Sequence, residues 1–291
     1  MLNRQKIILF MLKQAGGAAS RLLLTKWAFL LAHETASKGG SAFYQFVPYQ
    51  YGPYSFSLAR EINTLVREGL IEERCRTVRS LTPAGFHAEY TLPVAIEHDA
   101  ADIMSKYGAA PLEPLLASIY GRYPWFTVNS KDKRKRAQTR PVASLAVYTL
   151  GYEGLMVEGF LNHLLRSGVQ CLVDVRNNPI SRRYGFHKST LSRLCAYLGI
   201  TYRHIPELGI TPESRARLRN TGDYQALFNQ YRHDILPRQT AAVRQVAETL
   251  TAHPSALVCM EADPECCRRS HLAAAVAKLT GLPVKHLAIA Q

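Results

Sequence analysis

"SALVCMEADPECCRRSHLAAAVAKLTG", residues 255–281, joins an apolar run of strand length to an alanine-rich helical run through a loop bearing carboxylates, two adjacent cysteines and two adjacent arginines. A strand that feeds a helix in this way is the repeating unit of an α/β sheet. The alternation extends upstream. "LAVYTLGYEG" reads as a strand running into a glycine turn, "LMVEGFLNHLLRSGV" as an amphipathic helix closed by Gly168, and "CLVDVRNNP" as an apolar strand ending in Asp174 and Arg176. Helix "STLSRLCAYLG", strand "TYRHIPELG", a polar helical segment, helix "TAAVRQVAETL" and strand "VKHLAI" complete the series. An α/β domain with a largely parallel sheet flanked by helices is expected over residues 142–291.

Loops at the carboxyl ends of parallel strands lie over the crevice of such a sheet. Four of them carry chemistry here: Tyr152 and Glu153, Asp174 and Arg176, His204, and Glu261 to Arg269. The loop of the opening stretch enters its helix near Ser270, where unpaired backbone N–H groups and the helix dipole favour an anion. Arg268 and Arg269 reinforce that field, and Ser270 is read as helix cap or anion contact. The same field is expected to lower the pKa of Cys267, with Cys266 beside it, towards a reactive thiolate. Tyr152 would stack on a base, and Asp174 or Glu261 would act as general base. Glu153, Arg176, Ser181, His204, Arg268, Arg269 and Ser270 would contact the ligand. Blander readings compete: an Asp two residues from an Arg is often a loop-fixing ion pair, a lone His is often packed, and a buried Cys behaves as a small apolar residue. No metal-ligand spacing and no cofactor motif stand out, so no metal is expected and no cofactor is named.

Residues 1–128 follow another order: helix, helix, the aromatic turn "FVPYQYGPYSF", a helix from about Ser57 to Glu68, then a basic ribbon. That is winged-helix order. Arg60 and Arg67 would lie on the helix facing a major groove, and Arg74, Arg76 and Arg79 on the ribbon along the phosphate backbone. Glu61 and Glu68 on the same helix count against this. The competing reading is a small helical dimerisation domain, which makes a homodimer the alternative partner. "NSKDKRKRAQTRP", residues 129–141, lacks large apolar residues and reads as a basic linker whose Lys131, Lys133, Arg134, Lys135 and Arg136 touch phosphate.

The net charge of +14 is spread over both halves: residues 1–140 hold 19 basic and 11 acidic side chains, and residues 141–291 hold 17 and 11. Such a surface suits a polyanion, and nucleic acid, DNA first, is the expected partner. Six scattered cysteines without paired spacing suggest reduced thiols. No uninterrupted apolar run has spanning length, so no membrane partner and a cytoplasmic address are expected.

Several motifs together, "YTLGYEG", "LVDVRNNPISRRYGFHKSTL", "YRHIPELG", "GDYQALFNQYR" and "CMEADPECCRRSHLA", resemble in order those of the bacterial family catalogued as domain of unknown function 488. The resemblance covers about residues 146–291. It marks Gly151, Tyr152, Glu153, Asp174, Arg176, Pro179, Ser181, Phe186, Pro206, Leu208, Gly209, Tyr224, Cys259, Glu261, Asp263, Pro264, Cys267, Arg269 and Ser270, but implies no reaction. The family commonly reads Cys-His-Arg-Ser where this chain has Cys267, Arg268, Arg269 and Ser270, so a role for imidazole at 268 does not carry over. "FVPYQYGPYS" with "IYGRYP" is similar to an amino-terminal module of antitoxin-like and regulatory bacterial proteins. A looser similarity links "VDVR" and the Cys and Arg loop to rhodaneses and cysteine phosphatases, with Cys259 at their nucleophile position. Three functions are therefore weighed: a nucleic-acid-binding protein whose α/β domain is a hydrolytic or base-excising enzyme on DNA or a nucleotide; a non-catalytic DNA-binding regulator with an anion-sensing α/β domain; and a thiol-dependent phosphatase or sulfurtransferase.

Overall fold

The computed structural model describes residues 1–210, 221–265 and 267–287, with backbone alone at 221–225. Expectations for Cys266, the Tyr224 side chain, the polar segment before it and the end of the last strand lie outside the described residues. Two compact units divide the chain, Met1–Thr139 and Arg140–Gln291.

The first unit is helix-rich. Its elements are α1 (Asn3–Gln14), β1 (Ala18–Ser20), α2 (Arg21–Glu34), β2 (Val47–Tyr49), β3 (Gly52–Tyr54), α3 (Phe56–Arg67), β4 (Ile71–Glu73), β5 (Val78–Leu81), α4 (Pro83–His87), α5 (Val94–Tyr107) and α6 (Leu112–Arg122). β1, β5 and β4 form a three-stranded antiparallel sheet in that order. The aromatic turn of the sequence is a small antiparallel hairpin, β2 with β3. Side chains start the helices: Ser20 Oγ accepts from Leu23 N at 3.1 Å and Ser55 Oγ from Leu58 N at 3.2 Å. These are ordinary N-caps, each contributing about 1 kcal/mol.

Trp27, Phe29, Leu30 and Leu31 of α2 are buried with Leu9 and Leu12 of α1 and Leu65 of α3. Each such side chain stabilises the fold by roughly 1.5–3 kcal/mol relative to exposure. The Trp27 indole N–H donates to Tyr107 O at 3.0 Å, tying α5 to the core. Lys26 is buried too. Its ammonium clamps the hairpin through Tyr51 O (2.6 Å) and Pro53 O (2.8 Å), and burial lowers its pKa to about 7. The stretch read as a linker is hydrogen-bonded onto this unit, through Lys131 N to Gln50 O at 2.9 Å and Ala137 N to Thr127 Oγ1 at 2.9 Å.

The second unit is the α/β domain. Its strands are β6 (Val147–Gly151), β7 (Cys171–Asp174), β8 (Thr201–His204), β9 (Ser255–Cys259) and β10 (Val284–His286). They form one sheet in the order β10-β6-β9-β7-β8, and every neighbouring pair is parallel. Between them lie α7 (Val157–Arg166), α8 (Lys188–Tyr197), α9 (Thr221–Gln230), α10 (Thr240–Ala252) and α11 (Arg268–Thr280). A π-helical turn, Tyr231–Ile235, and a short helical turn, Leu236–Arg238, lead from α9 into α10.

Strands β6, β7 and β9 are buried along their whole length. This explains why they read as continuous apolar runs and not as alternating ones. Val147, Cys171, Val173 and Leu257 share a core with Val246 and Leu250 of α10 and Leu272 and Val276 of α11. The pleat sends Leu150, Leu172 and Val258 to the opposite face. On that side α7 contributes buried Phe160, Leu161 and Leu164, and α8 contributes Leu191 and Leu194.

Candidate functional site

Register aligns the carboxyl ends of four strands. Gly151 lies opposite Cys259, and Asp174 lies opposite both Val258 and His204. Tyr152 N donates to Met260 O at 3.1 Å, and Glu153 accepts from Ala262 N at 3.0 Å, so the loop after β9 folds over the end of β6. Gly151 permits this. A Cβ there would stand 1.9 Å from Glu261 O, inside any allowed contact.

Asp174 and Arg176 form a closed unit. Asp174 is fully buried and Arg176 is 4% exposed. Oδ1 of Asp174 accepts from Arg176 N at 3.1 Å and Nε at 2.8 Å; Oδ2 accepts from Arg176 Nη2 at 2.5 Å and the Tyr202 hydroxyl at 2.6 Å. The remaining guanidinium nitrogen, Nη1, donates to the Tyr152 hydroxyl (3.0 Å) and Phe186 O (2.9 Å). Burial alone would lower the Arg176 pKa, but the bonds and charge of Asp174 outweigh it and hold the group cationic. With four donors on one carboxylate, the lone pairs a general base would use are occupied. The unit fixes the strand end, as the blander reading had it.

Its neighbours are also engaged. The Tyr152 ring stacks on Phe186 with centroids 4.2 Å apart and planes 12° from parallel, so the face expected to take a base is covered. His204 Nε2 meets Arg176 O at 2.8 Å, and Ser181 Oγ accepts from Arg183 N at 3.2 Å.

The second cluster belongs to the opening stretch. Cys259 Sγ donates to Glu261 Oε2 at 2.8 Å, and Cys267 Sγ donates to the same oxygen at 3.1 Å. Burial would raise the Glu261 carboxyl, yet the two thiol bonds and the charge of Arg268 keep it below its ordinary value. The expectation for Cys267 is reversed. Burial first, then Cys259 and Glu261, push its thiol well up, although Arg269 N reaches its sulfur at 3.5 Å and makes it the cap of α11. Cys259 moves the other way, lowered by the Cys267 hydrogen bond and by Arg268.

Arg268 and Arg269 are each 2% exposed, so neither guanidinium stands in solvent to grip an anion. Arg269 Nη1 and Nη2 hold the carbonyls of Glu261 and Ala262, the second at 2.8 Å, and Nε lies 3.4 Å from Thr149 Oγ1. It shapes the loop from behind. Ser270 corrects another expectation: its hydroxyl donates to Pro264 O, and the cap is Cys267. Arg268 differs from all of these. Nη2 reaches Val175 O at 3.3 Å, while its buried Nε has no hydrogen-bond partner among the described residues.

In the amino-terminal unit α3 turns Phe56, Leu58, Glu61, Ile62 and Leu65 inward and leaves Arg60, Asn63 and Arg67 exposed. Glu61 accepts from Arg4 at 2.7 Å and from Gln5 at 2.6 Å, so its charge faces the core and not the outer face. Arg74 and Arg76 are exposed, Arg74 in a surface pair with Glu72 at 3.3 Å. Arg79 must be corrected. It is 2% exposed, paired with Glu73 at 3.2 Å and bonded to Val78 O at 3.1 Å, because the short strand turns it inward. Lys131, Lys133, Arg134, Lys135 and Arg136 are exposed, with Arg134 on Asp132 and Lys135 on Glu113.

One participant escaped the sequence reading: Tyr202 gave no signal, since one tyrosine on an edge strand says nothing of the carboxylate beside it. Cys259, marked by the family resemblance and by its place at the end of a strand, is brought with Cys267 onto Glu261.

A parallel α/β domain with two largely buried polar clusters at the carboxyl edge of its sheet is thus defined. Residues 156–276 match the family described as Domain of unknown function DUF488, so the carboxyl portion carries that domain. No curated protein and no solved structure matches the chain.

Proposed function

We propose that this protein binds nucleic acid, duplex DNA first, through α3 and the β4–β5 hairpin, and that the α/β unit supplies the reactive groups. The observation carrying the reading is the inward turn of Glu61 onto Arg4 and Gln5, which takes that carboxylate off the outer surface where Arg60, Arg67 and Glu68 are exposed. The element order, three helices with a three-stranded antiparallel sheet ending in a hairpin, supports the winged-helix reading. Arg76 lines a groove of about 540 Å³ with Tyr49, Tyr51, Tyr54 and Ile62, which gives the face both charge and rings. A partner of this kind also accounts for the +14 net charge.

In the α/β unit the carboxylate left for chemistry is Glu261, because Asp174 is saturated by four donors. That saturation also favours the second reading, a regulator without turnover. Fluorescence anisotropy with labelled duplex and single strands tests binding, and product analysis tests the enzyme. Arg67→Ala and Arg76→Ala should each weaken duplex binding and lower the salt slope by about 1. Absence of binding at low salt overturns the proposal. Glu261→Gln should keep binding and lose product, whereas a wild type that binds but makes no product on any strand establishes the regulator.

A further inference from the structure

The thiols of Cys259 and Cys267 do not point at separate partners. Both S–H groups converge on one oxygen, Oε2 of Glu261, at 2.8 and 3.1 Å, and the three ligand-type atoms lie within 4.8 Å of one another. A tetrahedral zinc with sulfur at about 2.3 Å and oxygen at about 2.1 Å would set its ligand atoms about 3.6–3.8 Å apart. Spreading by under about 1 Å would therefore seat a cation where the two thiol protons now sit. We propose that Cys259, Glu261 and Cys267 form a binding site for one divalent, thiol-seeking metal ion of the zinc class.

Charge supports the assignment. Loss of two thiol protons and gain of a divalent ion leave the net charge of the site unchanged, so no uncompensated charge is created in a buried place. The second, independent observation is Arg268. Its guanidinium has Cys259, Cys267 and Glu261, and after them Tyr231, as charged or ionisable neighbours, and its Nε is buried without a partner among the described residues. A buried cation with an unused N–H beside two thiols is suited to the thiolates of a metal-loaded site. The backbone N–H of Arg269 on the Cys267 sulfur at 3.5 Å adds a second donor to one of them. Three protein ligands leave a fourth position for water or a substrate oxygen, the arrangement of zinc sites that do chemistry. A disulfide is the rival use of the two sulfurs, but it would remove both donors from the Glu261 carboxylate.

The inference goes beyond the nucleic-acid reading and does not depend on it, because metal binding is read without any nucleic acid. The full chain, reduced and stripped with a chelator, is titrated with Co²⁺ and then Zn²⁺. One Co²⁺ per chain is expected, with a thiolate-to-cobalt charge-transfer band that Zn²⁺ abolishes. Cys259→Ser and Cys267→Ser should lose the band, and Glu261→Gln should weaken Co²⁺ binding at least about tenfold. Cys75→Ser and Cys266→Ser should leave it unchanged. Circular dichroism checks that each variant folds. Should the serine variants unfold, wild-type alkylation decides: Zn²⁺ should slow labelling of Cys259 and Cys267 at least tenfold. The proposal is overturned if the reduced chain shows no such band, if the band follows Cys75 or Cys266, if Zn²⁺ protects neither thiol, or if Cys259 and Cys267 are recovered as a disulfide in a chain that takes no Co²⁺ after reduction.

Discussion

The Asp174–Arg176 cluster and the Cys259–Glu261–Cys267–Arg268 cluster stand at the same edge of one sheet, the first buried throughout and the second buried except for the half-buried Glu261, and they are finished to different degrees. In the first, every oxygen of the carboxylate has two donors and the guanidinium is bonded at Nε, Nη1 and Nη2. In the second, two thiols crowd one oxygen and a buried arginine keeps an N–H with no partner among the described residues. A completed buried ion pair holds structure, since its groups have nothing left to offer a ligand. An incomplete one costs stability, and it marks where a ligand would complete it.

That difference can be broken by stability measurements. Removing one partner of the finished pair leaves the other charge buried and alone, so Asp174→Ala should cost about 3–5 kcal/mol. Chemical denaturation followed by near-ultraviolet circular dichroism measures this. Tyr202→Phe deletes a single hydrogen bond to a charged oxygen and should cost about 1.5–3 kcal/mol in the same assay. Arg268→Met replaces a buried, partly unsatisfied cation by an apolar chain of similar length. It leaves the Glu261 carboxylate without its nearby cation, but no direct ion pair is broken and Glu261 keeps both thiol donors, so the cost should be about 1–2 kcal/mol, well below that of Asp174→Ala. If Arg268→Met costs as much as Asp174→Ala, the two clusters are equally structural and the contrast fails. The smallest effect is expected at Glu153, an exposed acceptor for Ala262 N, where Glu153→Gln should move stability by about 0.5 kcal/mol or less.

The fold was legible because both of its signals are local. Strands buried on both faces read as short apolar runs, and the helices between them carry a 3.6-residue apolar period. The edge that gathers Tyr152, Asp174, His204 and Glu261 followed from parallel connectivity alone. Hidden from the sequence was how those side chains divide among one another. "DVR" carries the same letters whether Arg176 folds back on Asp174 or reaches into a crevice, and only the positions of Tyr202 and Phe186 decide it. The cap of α11 was misread for a similar reason: Ser270 is the better capping residue by type, but the helix begins three residues earlier, at the thiol of Cys267. Arg79 was misplaced because a four-residue strand has too little alternation to reveal which face is inward.

Arg269 grips two consecutive carbonyls of a loop that precedes it, and its Nε rests near a threonine of the adjacent strand. The first turn of the helix therefore serves as a last on which the preceding segment is moulded. Lengthening or shortening the chain between Met260 and Cys267 would shift those carbonyls out of reach, and Glu261 would lose its aim at both sulfurs before any residue of the cluster itself had been exchanged.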